Sequence, residues 1–80
     1  MRVEIRRCPI FPLIRAHAAG LASALREELG IEVQVTDSLF EGEFEVFLEG
    51  ELVAQRCGTL PSIHDTLSLI RGDLVIEAGA

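Results

Sequence analysis

Residues 2–30 read R-V-E-I-R-R-C-P-I-F-P-L-I-R-A-H-A-A-G-L-A-S-A-L-R-E-E-L-G, and the period of their hydrophobicity changes once. In Arg2–Arg7 apolar residues alternate with charged ones, which is typical of a half-buried strand. From Leu13 to Leu29 the apolar residues recur every three or four positions, which is the spacing of one helix face. The prolines between these segments donate no ladder hydrogen bond, so they end the strand. Gly30 is a natural C-cap for the helix.

Three more strands and a second helix are predicted after this helix. Apolar residues alternate with polar ones over 31–36, a third strand spans Glu43–Leu48, and a fourth strand spans Leu52–Arg56. A second helix begins near Thr59–Ser62, where a serine precedes an aspartate by three residues, as in a capping box. Gly72 can end this helix, which leaves residues 73–80 as a short edge strand or a loose tail.

The turn between strands three and four predicts their register. Glu49 and Gly50 form a tight hairpin, with the glycine supplying a positive φ. Phe47 then faces Leu52 as an apolar pair on an otherwise polar sheet face, and further along Glu43 faces Arg56. The apolar pair is either an ordinary cross-strand contact or a contact with a partner or a second copy in a homodimer.

The element order is therefore β-α-β-β-β-α, and it predicts a single two-layer α/β domain over residues 1–80. The first β-α-β unit is a right-handed parallel crossover and the hairpin is antiparallel, so the four-stranded sheet is mixed. One consistent apolar face places both helices on the same side of the sheet. The alternative is a ferredoxin-like β-α-β-β-α-β arrangement, which needs a paired C-terminal strand.

Composition excludes several classes of function. The 80 residues carry 13 Asp and Glu against 7 Arg and no Lys, a net charge of −6, so no basic stripe exists for nucleic acid. No apolar run approaches the roughly 20 residues of a membrane span, and the charged start is unlike a signal peptide. Two cysteines in such a chain suggest a reducing cytoplasm rather than a disulfide scaffold.

Cys8 is the candidate nucleophile, because it stands between the first strand and the first helix. Free N–H groups and the positive end of the helix dipole lower a thiol pKa there and favour the nucleophilic thiolate. Arg6, Arg7 and Arg15 could add positive charge nearby. A strand followed by Cys-Pro and a helix is the geometry of thiol-redox proteins, which usually carry C-x-x-C.

The chain resembles the selenoprotein W-like (Rdx) family of small thioredoxin-like proteins over most of its length. The resemblance is carried by V-E-I-R-R-C-P at 3–9, L-R-E-E-L-G at 25–30, F-E-G-E-F-E-V-F-L-E-G-E-L-V-A at 40–54, G-T-L-P at 58–61 and L-S-L-I-R at 67–71. It implies a thioredoxin-like fold, with sheet order 2-1-3-4, and a role in cell redox homeostasis. The family has C-P-x-C or C-x-x-U after the first strand.

The sequence departs from that motif at its second reactive position. Cys8 matches the first position, but Phe11 replaces the second Cys or Sec and cannot resolve a mixed disulfide. The first hypothesis is a single-cysteine redox role for Cys8, with protein or glutathione disulfides as partners and an external thiol or Cys57 as the resolving group. The alternative is a redox-inactive thioredoxin-like binding module that acts through protein–protein contacts.

No cofactor or metal site is predicted. His17 and His64 form a nominal set with the two cysteines, but the spacings match no compact zinc pattern. Both histidines are expected on helix surfaces. In a sheet of order 2-1-3-4, Cys8 and Cys57 lie two strands apart, roughly 10 Å, which is more than a disulfide spans without loop movement.

Overall fold

A computed structural model of the chain describes the backbone of residues 2–79 and the side chains of residues 2–72. The elements in chain order are β1 (Arg2–Arg7), α1 (Pro12–Ala24), β2 (Glu32–Asp37), β3 (Phe44–Leu48), β4 (Glu51–Gln55) and α2 (Ile63–Gly79). Pro12 occupies the first turn of α1, where a missing N–H costs nothing. Helix α1 continues into a single π-helical turn, Leu25–Leu29, which ends at Gly30 with a φ of 64°.

The four strands form one mixed sheet, as the sequence predicted, and their order is β2-β1-β3-β4, the order that the resemblance to the selenoprotein W-like family implies. β1 is parallel to β2, so α1 forms the crossover between them, and β3 is antiparallel to both β1 and β4. This arrangement puts β1 in the centre of the sheet. The chain that leaves β1 at Cys8 therefore emerges beside the loops that follow β2 and β4.

Both helices cover the same face of the sheet, which confirms the predicted two-layer α/β architecture. One buried cluster joins the inward side chains of the sheet to those of the helices: Val3, Ile5, Phe44, Val46, Ile14, Ala18, Leu21, Leu25, Leu67 and Ile70. The helices also approach each other closely, since a Cβ added to Gly20 would lie 3.1 Å from Cδ1 of Ile63.

Helix α2 is longer than the sequence predicted. Its start is as expected: the N–H of Asp65 donates a 3.0 Å hydrogen bond to Oγ of Ser62. It does not end at Gly72 but continues to Gly79, so the expectation of an edge strand or loose tail over 73–80 is wrong as far as residue 79. Ala80 lies outside the described residues. Within residues 2–79 no strand follows α2, which excludes the ferredoxin-like alternative there.

The β3–β4 hairpin contains a bulge that the sequence did not predict. Phe47 faces Leu52 as expected, but the next pair is Val46 with Ala54. Val53 is therefore an extra residue on β4, and it packs against the core beside Ala54.

The bulge shifts the remainder of β4 by one residue. The expected pairing of Glu43 with Arg56 is therefore wrong. Instead, the N–H of Arg56 donates to the carbonyl oxygen of Phe44 at 2.8 Å. The side chain of Arg56 reaches the loop before β3, where Nη1 donates to the carbonyl oxygen of Gly42 at 3.1 Å. The guanidinium of Arg56 therefore lies at the end of the sheet where Cys8 lies.

Within the described residues, neither helix combines the length and the apolar character that crossing a bilayer requires.

Candidate functional site

Cys8 lies at the end of β1 with its side chain inside the protein. Its backbone N–H donates a 2.7 Å hydrogen bond to the carbonyl oxygen of Glu43, which extends the pairing of β1 with β3 by one residue. The residue is only 1% exposed and belongs to the main core cluster. A thiol at this place meets apolar side chains on one side and the loops at the end of the sheet on the other.

Main-chain hydrogen bonds lower the pKa of the Cys8 thiol below its ordinary value. Burial raises that pKa, because a charged sulfur loses its hydration inside the core. The backbone N–H groups of Gly42, Ile10 and Phe11 donate to the sulfur and together outweigh burial, while the charge of Glu41 opposes them. The dipoles of these backbone amides therefore favour a negative charge on the sulfur.

None of the three arginines expected to help, Arg6, Arg7 and Arg15, is among the groups that shift this pKa. Arg6 forms an ion pair with Glu4 at 2.9 Å, and its guanidinium stacks over the ring of Phe47 at 4.6 Å. Arg7 pairs with Asp37 at 2.6 Å. Both cations are therefore occupied by their own partners, and neutral amide dipoles stabilise the thiolate instead.

Cys57 lies on the loop after β4, and its thiol is exposed and unpaired, like the unpaired thiol of Cys8. Strand β3 separates the two cysteines, because Cys8 bonds to Glu43 on one side and Arg56, just before Cys57, bonds to Phe44 on the other. Two strand spacings place the backbones roughly 10 Å apart, beyond the Cα separation of about 7 Å that a disulfide tolerates. The structure does not bring Cys57 into position to resolve a bond at Cys8.

A groove of about 510 Å³ opens beside the buried thiol. Its apolar lining comes from Phe11, Leu13, Ile14 and Leu60, and its charged lining residues are Glu41 and Arg56. We call this cavity the Phe11 groove. Gly42 and Phe11 line it and also donate to the Cys8 sulfur, so the wall of the groove is the hydrogen-bonding shell of the thiol.

The loops around the groove expose several large apolar side chains. Ile10, Leu13, Leu39 and Phe40 are each at least 71% exposed, and Phe11 is 40% exposed. Ile10 and Phe11 lie between β1 and α1, Leu13 lies in the first turn of α1, and Leu39 and Phe40 lie in the loop between β2 and β3. These loops lie at one end of the sheet, because the N–H of Ser38 donates to the carbonyl oxygen of Arg7. The sequence analysis did not single out this surface, since its members are distant along the chain.

His17 is partly buried, so the expectation of a helix-surface residue is wrong for it. Its Nε2 lies 2.7 Å from the carbonyl oxygen of Pro61, and a carbonyl accepts, so this nitrogen carries the proton. The ring also meets Phe44 edge-on, with centroids 5.2 Å apart. His17 thereby ties the segment that carries Leu60, one wall of the groove, to α1. His64 is exposed, as predicted.

The predicted partner contact lies on the opposite, open face of the sheet. Phe47 faces Leu52 across the hairpin, and Leu52 is 44% exposed. The Arg6 guanidinium covers the ring of Phe47. A homodimer through this pair stays a prediction.

Comparison of the chain with protein-family models, with curated proteins and with solved structures found no match. The resemblance to the selenoprotein W-like family rests on the sequence motifs alone. In the part of the chain that the structure describes, no three His, Cys, Asp or Glu side chains converge as a metal site would require.

Proposed function

We propose that the chain is a single-cysteine thiol protein in which Cys8 reacts as the thiolate with a disulfide of a partner protein or of glutathione. The observation that carries this proposal is the set of backbone N–H donors from Gly42, Ile10 and Phe11 on the Cys8 sulfur. A structural thiol needs no such donors, because a neutral S–H in a core behaves as a small apolar group. Donors on sulfur stabilise the charged, nucleophilic form. The resemblance to the selenoprotein W-like family implies the same chemistry.

The reaction is one thiol–disulfide exchange. The Cys8 thiolate attacks one sulfur of the partner disulfide and forms a new S–S bond. The original S–S bond breaks, and its electron pair leaves with the other sulfur as a thiolate. Cys8 is thereby oxidised to the mixed disulfide, and the departing half of the partner is reduced. Atoms and charge balance without a cofactor.

An external thiol completes the cycle. Phe11 stands where a resolving sulfur would be needed, and Cys57 lies on the far side of β3. A second thiolate, such as glutathione, attacks the sulfur of the partner half and releases Cys8. Because both cysteines are unpaired, the proposal places the protein in a reducing compartment such as the cytoplasm.

The reaction requires a disulfide to reach the Cys8 sulfur, which is buried in this structure. Cys8 is 1% exposed, so attack needs the segment that carries Ile10 and Phe11 to move. The same burial favours a second candidate function, a binding module that uses the exposed apolar loops around the Phe11 groove while Cys8 stays sealed. The two functions differ in whether a small reagent reaches Cys8 in the folded protein.

The first test measures ionisation and access separately. We expect the ultraviolet absorbance of the thiolate in the reduced Cys57→Ser protein to titrate at lower pH than in denaturant, where a thiol has a pKa of about 8.5. The Cys8→Ser, Cys57→Ser double variant supplies the background. Alkylation by iodoacetamide and adduct formation with oxidised glutathione, both read by intact mass on the folded protein, then report access.

The outcomes separate the two functions. A low titration midpoint together with adducts on folded Cys8 is the result expected for the thiol protein. A midpoint at or above the value in denaturant overturns the thiolate proposal. A low midpoint with no adduct until the protein unfolds shows a sealed thiolate and leaves the binding module as the function.

A further inference from the structure

The Phe11 groove has the size and lining of a small-ligand site. Its volume of about 510 Å³ lies within the range of roughly 300–1,000 Å³ that ligand pockets occupy. Phe11, Leu13 and Leu60 supply an apolar wall, and the polar groups in the lining are few. Such pockets bind an apolar body and orient it through one or two polar contacts.

Arg56 is the cation that such a contact would use. Its Nη1 donates to the carbonyl oxygen of Gly42, which holds the guanidinium at the edge of the groove. Among the described side chains, no carboxylate lies within ion-pair distance of Arg56. A guanidinium presents five N–H donors, and the structure uses one of them on a backbone oxygen. The remaining donors match a carboxylate better than any neutral group.

Glu41 is the acidic residue of the lining, and its charge acts on a ligand in the opposite direction to that of Arg56. Its carboxylate repels an anionic ligand, whereas Arg56 attracts one. The two charges do not cancel each other by direct contact, because they form no ion pair. A ligand carboxylate is therefore expected on the Arg56 side of the groove.

We propose that the Phe11 groove binds a small amphipathic carboxylate, with its apolar body against Phe11, Leu13 and Leu60 and its carboxylate on Arg56. This site goes beyond the thiol chemistry and does not depend on it. It adjoins that chemistry, however, since Gly42 accepts from Arg56 and donates to the sulfur of Cys8.

The test is a titration of the reduced wild-type protein with octanoate, followed by the amide resonances of isotope-labelled protein. We expect saturable shifts centred on Gly42, Gly58 and Leu60. Octanamide has the same chain without the charge, and we expect it to bind about tenfold more weakly because it forfeits the charge-assisted contact. Equal affinity for the two compounds, or shifts scattered over the protein, would overturn the proposal by showing only unspecific apolar adsorption.

Two variants should change the affinity for octanoate in opposite directions, and a third serves as the control. Arg56→Gln should weaken octanoate binding about tenfold, and Glu41→Gln should strengthen it, since the first removes the attracting charge and the second the repelling one. Arg15→Gln is the matched control, because Arg15 is exposed on the first turn of α1 outside the groove lining and should change nothing. A loss in Arg15→Gln equal to that in Arg56→Gln would reduce the effect to net charge and overturn the site.

A folding defect in one of the variants does not prevent the test of the groove site. If Arg56→Gln loosens the loop at Gly42, the comparison of octanoate with octanamide on the wild-type protein still decides the proposal. Failure of the thiol titration would leave octanoate binding unaffected. Absence of octanoate binding with a normal thiol titration would reject the groove site alone.

Discussion

Two opposing effects, burial and hydrogen bonding, determine the pKa of the Cys8 thiol. Burial in the core raises the pKa of the thiol, and three backbone amides lower it by more. The sequence analysis predicted the direction from the position of Cys8 before a helix. It did not predict the donor from Gly42, because that amide belongs to the loop between β2 and β3, and it credited arginines that are paired elsewhere.

This competition predicts how stability depends on pH. The pKa of Cys8 is lower in the folded than in the unfolded protein, so the thiolate stabilises the folded state. That stabilisation is complete above the unfolded pKa of about 8.5 and is lost as the pH falls through the folded pKa. The free energy of unfolding of the Cys57→Ser protein, measured with urea under reducing conditions, should therefore rise with pH relative to the Cys8→Ala, Cys57→Ser variant.

The comparison with the alanine variant removes the contributions of all other titrating groups. A difference that stays flat or falls with pH between neutrality and the unfolded pKa would contradict the lowered pKa. The constant part of the difference reports the packing of the side chain and carries no information on ionisation.

The loops at the ends of β3 show how strongly backbone conformation limits substitution. Gly42 has a φ of 76°, and a Cβ there would lie 2.9 Å from Nη1 of Arg56. Gly50 has a φ of 84° with open space around it, and Glu49 before it has a φ of 51°, so this hairpin turn is left-handed at both positions. The sequence analysis expected the positive φ at the glycine of the hairpin but not at Glu49.

Gly42→Ala and Gly50→Ala therefore form a matched pair. Each introduces a left-handed alanine, which costs about 1–2 kcal/mol in the free energy of unfolding. Gly42→Ala should cost slightly more, because the tip of the Arg56 side chain must also move and weaken its hydrogen bond to the carbonyl oxygen of residue 42. The strained backbone at residue 42 should shift the N–H that faces the Cys8 sulfur and so raise the Cys8 pKa. Urea unfolding and the thiolate titration measure the two effects. Equal losses with an unchanged titration would separate Gly42 from the thiol.

The core of this domain is small, so each buried side chain matters. A chain of 80 residues has a stability of about 4–12 kcal/mol at the usual 0.05–0.15 kcal/mol per residue. The core cluster is shared by the sheet and both helices, so a cavity in it loosens every element. Several large apolar side chains outside the core, such as Ile10, Leu39 and Phe40, are exposed near the groove and therefore add little to this stability.

Two leucines of α1 test this division between core and surface. Leu21 is fully buried, and Leu21→Ala should lower the free energy of unfolding by about 2–5 kcal/mol. Leu13 is 81% exposed, and Leu13→Ala should stay within about 0.5 kcal/mol of the wild type. Thermal or urea unfolding of both variants checks the prediction. A large loss at Leu13 would mean that the first turn of α1 is packed against something in solution.

Local patterns were sufficient to predict most of the architecture. The alternation in β1, the helical spacing in α1 and the turn at Glu49 and Gly50 predicted the sheet, the crossover and the two-layer packing, because hydrophobic period and turn chemistry act between near neighbours. The end of α2 was missed because a glycine can continue a helix as well as cap it. The bulge at Val53 was missed because Leu52, Val53 and Ala54 are all apolar, so the sequence shows no alternation that an extra residue would visibly interrupt.

The candidate site depends on contacts between residues that are far apart along the chain. Cys8 was identifiable from its place before the helix. The amide of Gly42, the guanidinium of Arg56 and the apolar loops meet beside it only after the sheet order and the bulge have been set. Periodicity reports which face of an element is buried, whereas the assembly of a groove depends on where the ends of different elements come together, and only the tertiary structure decides that.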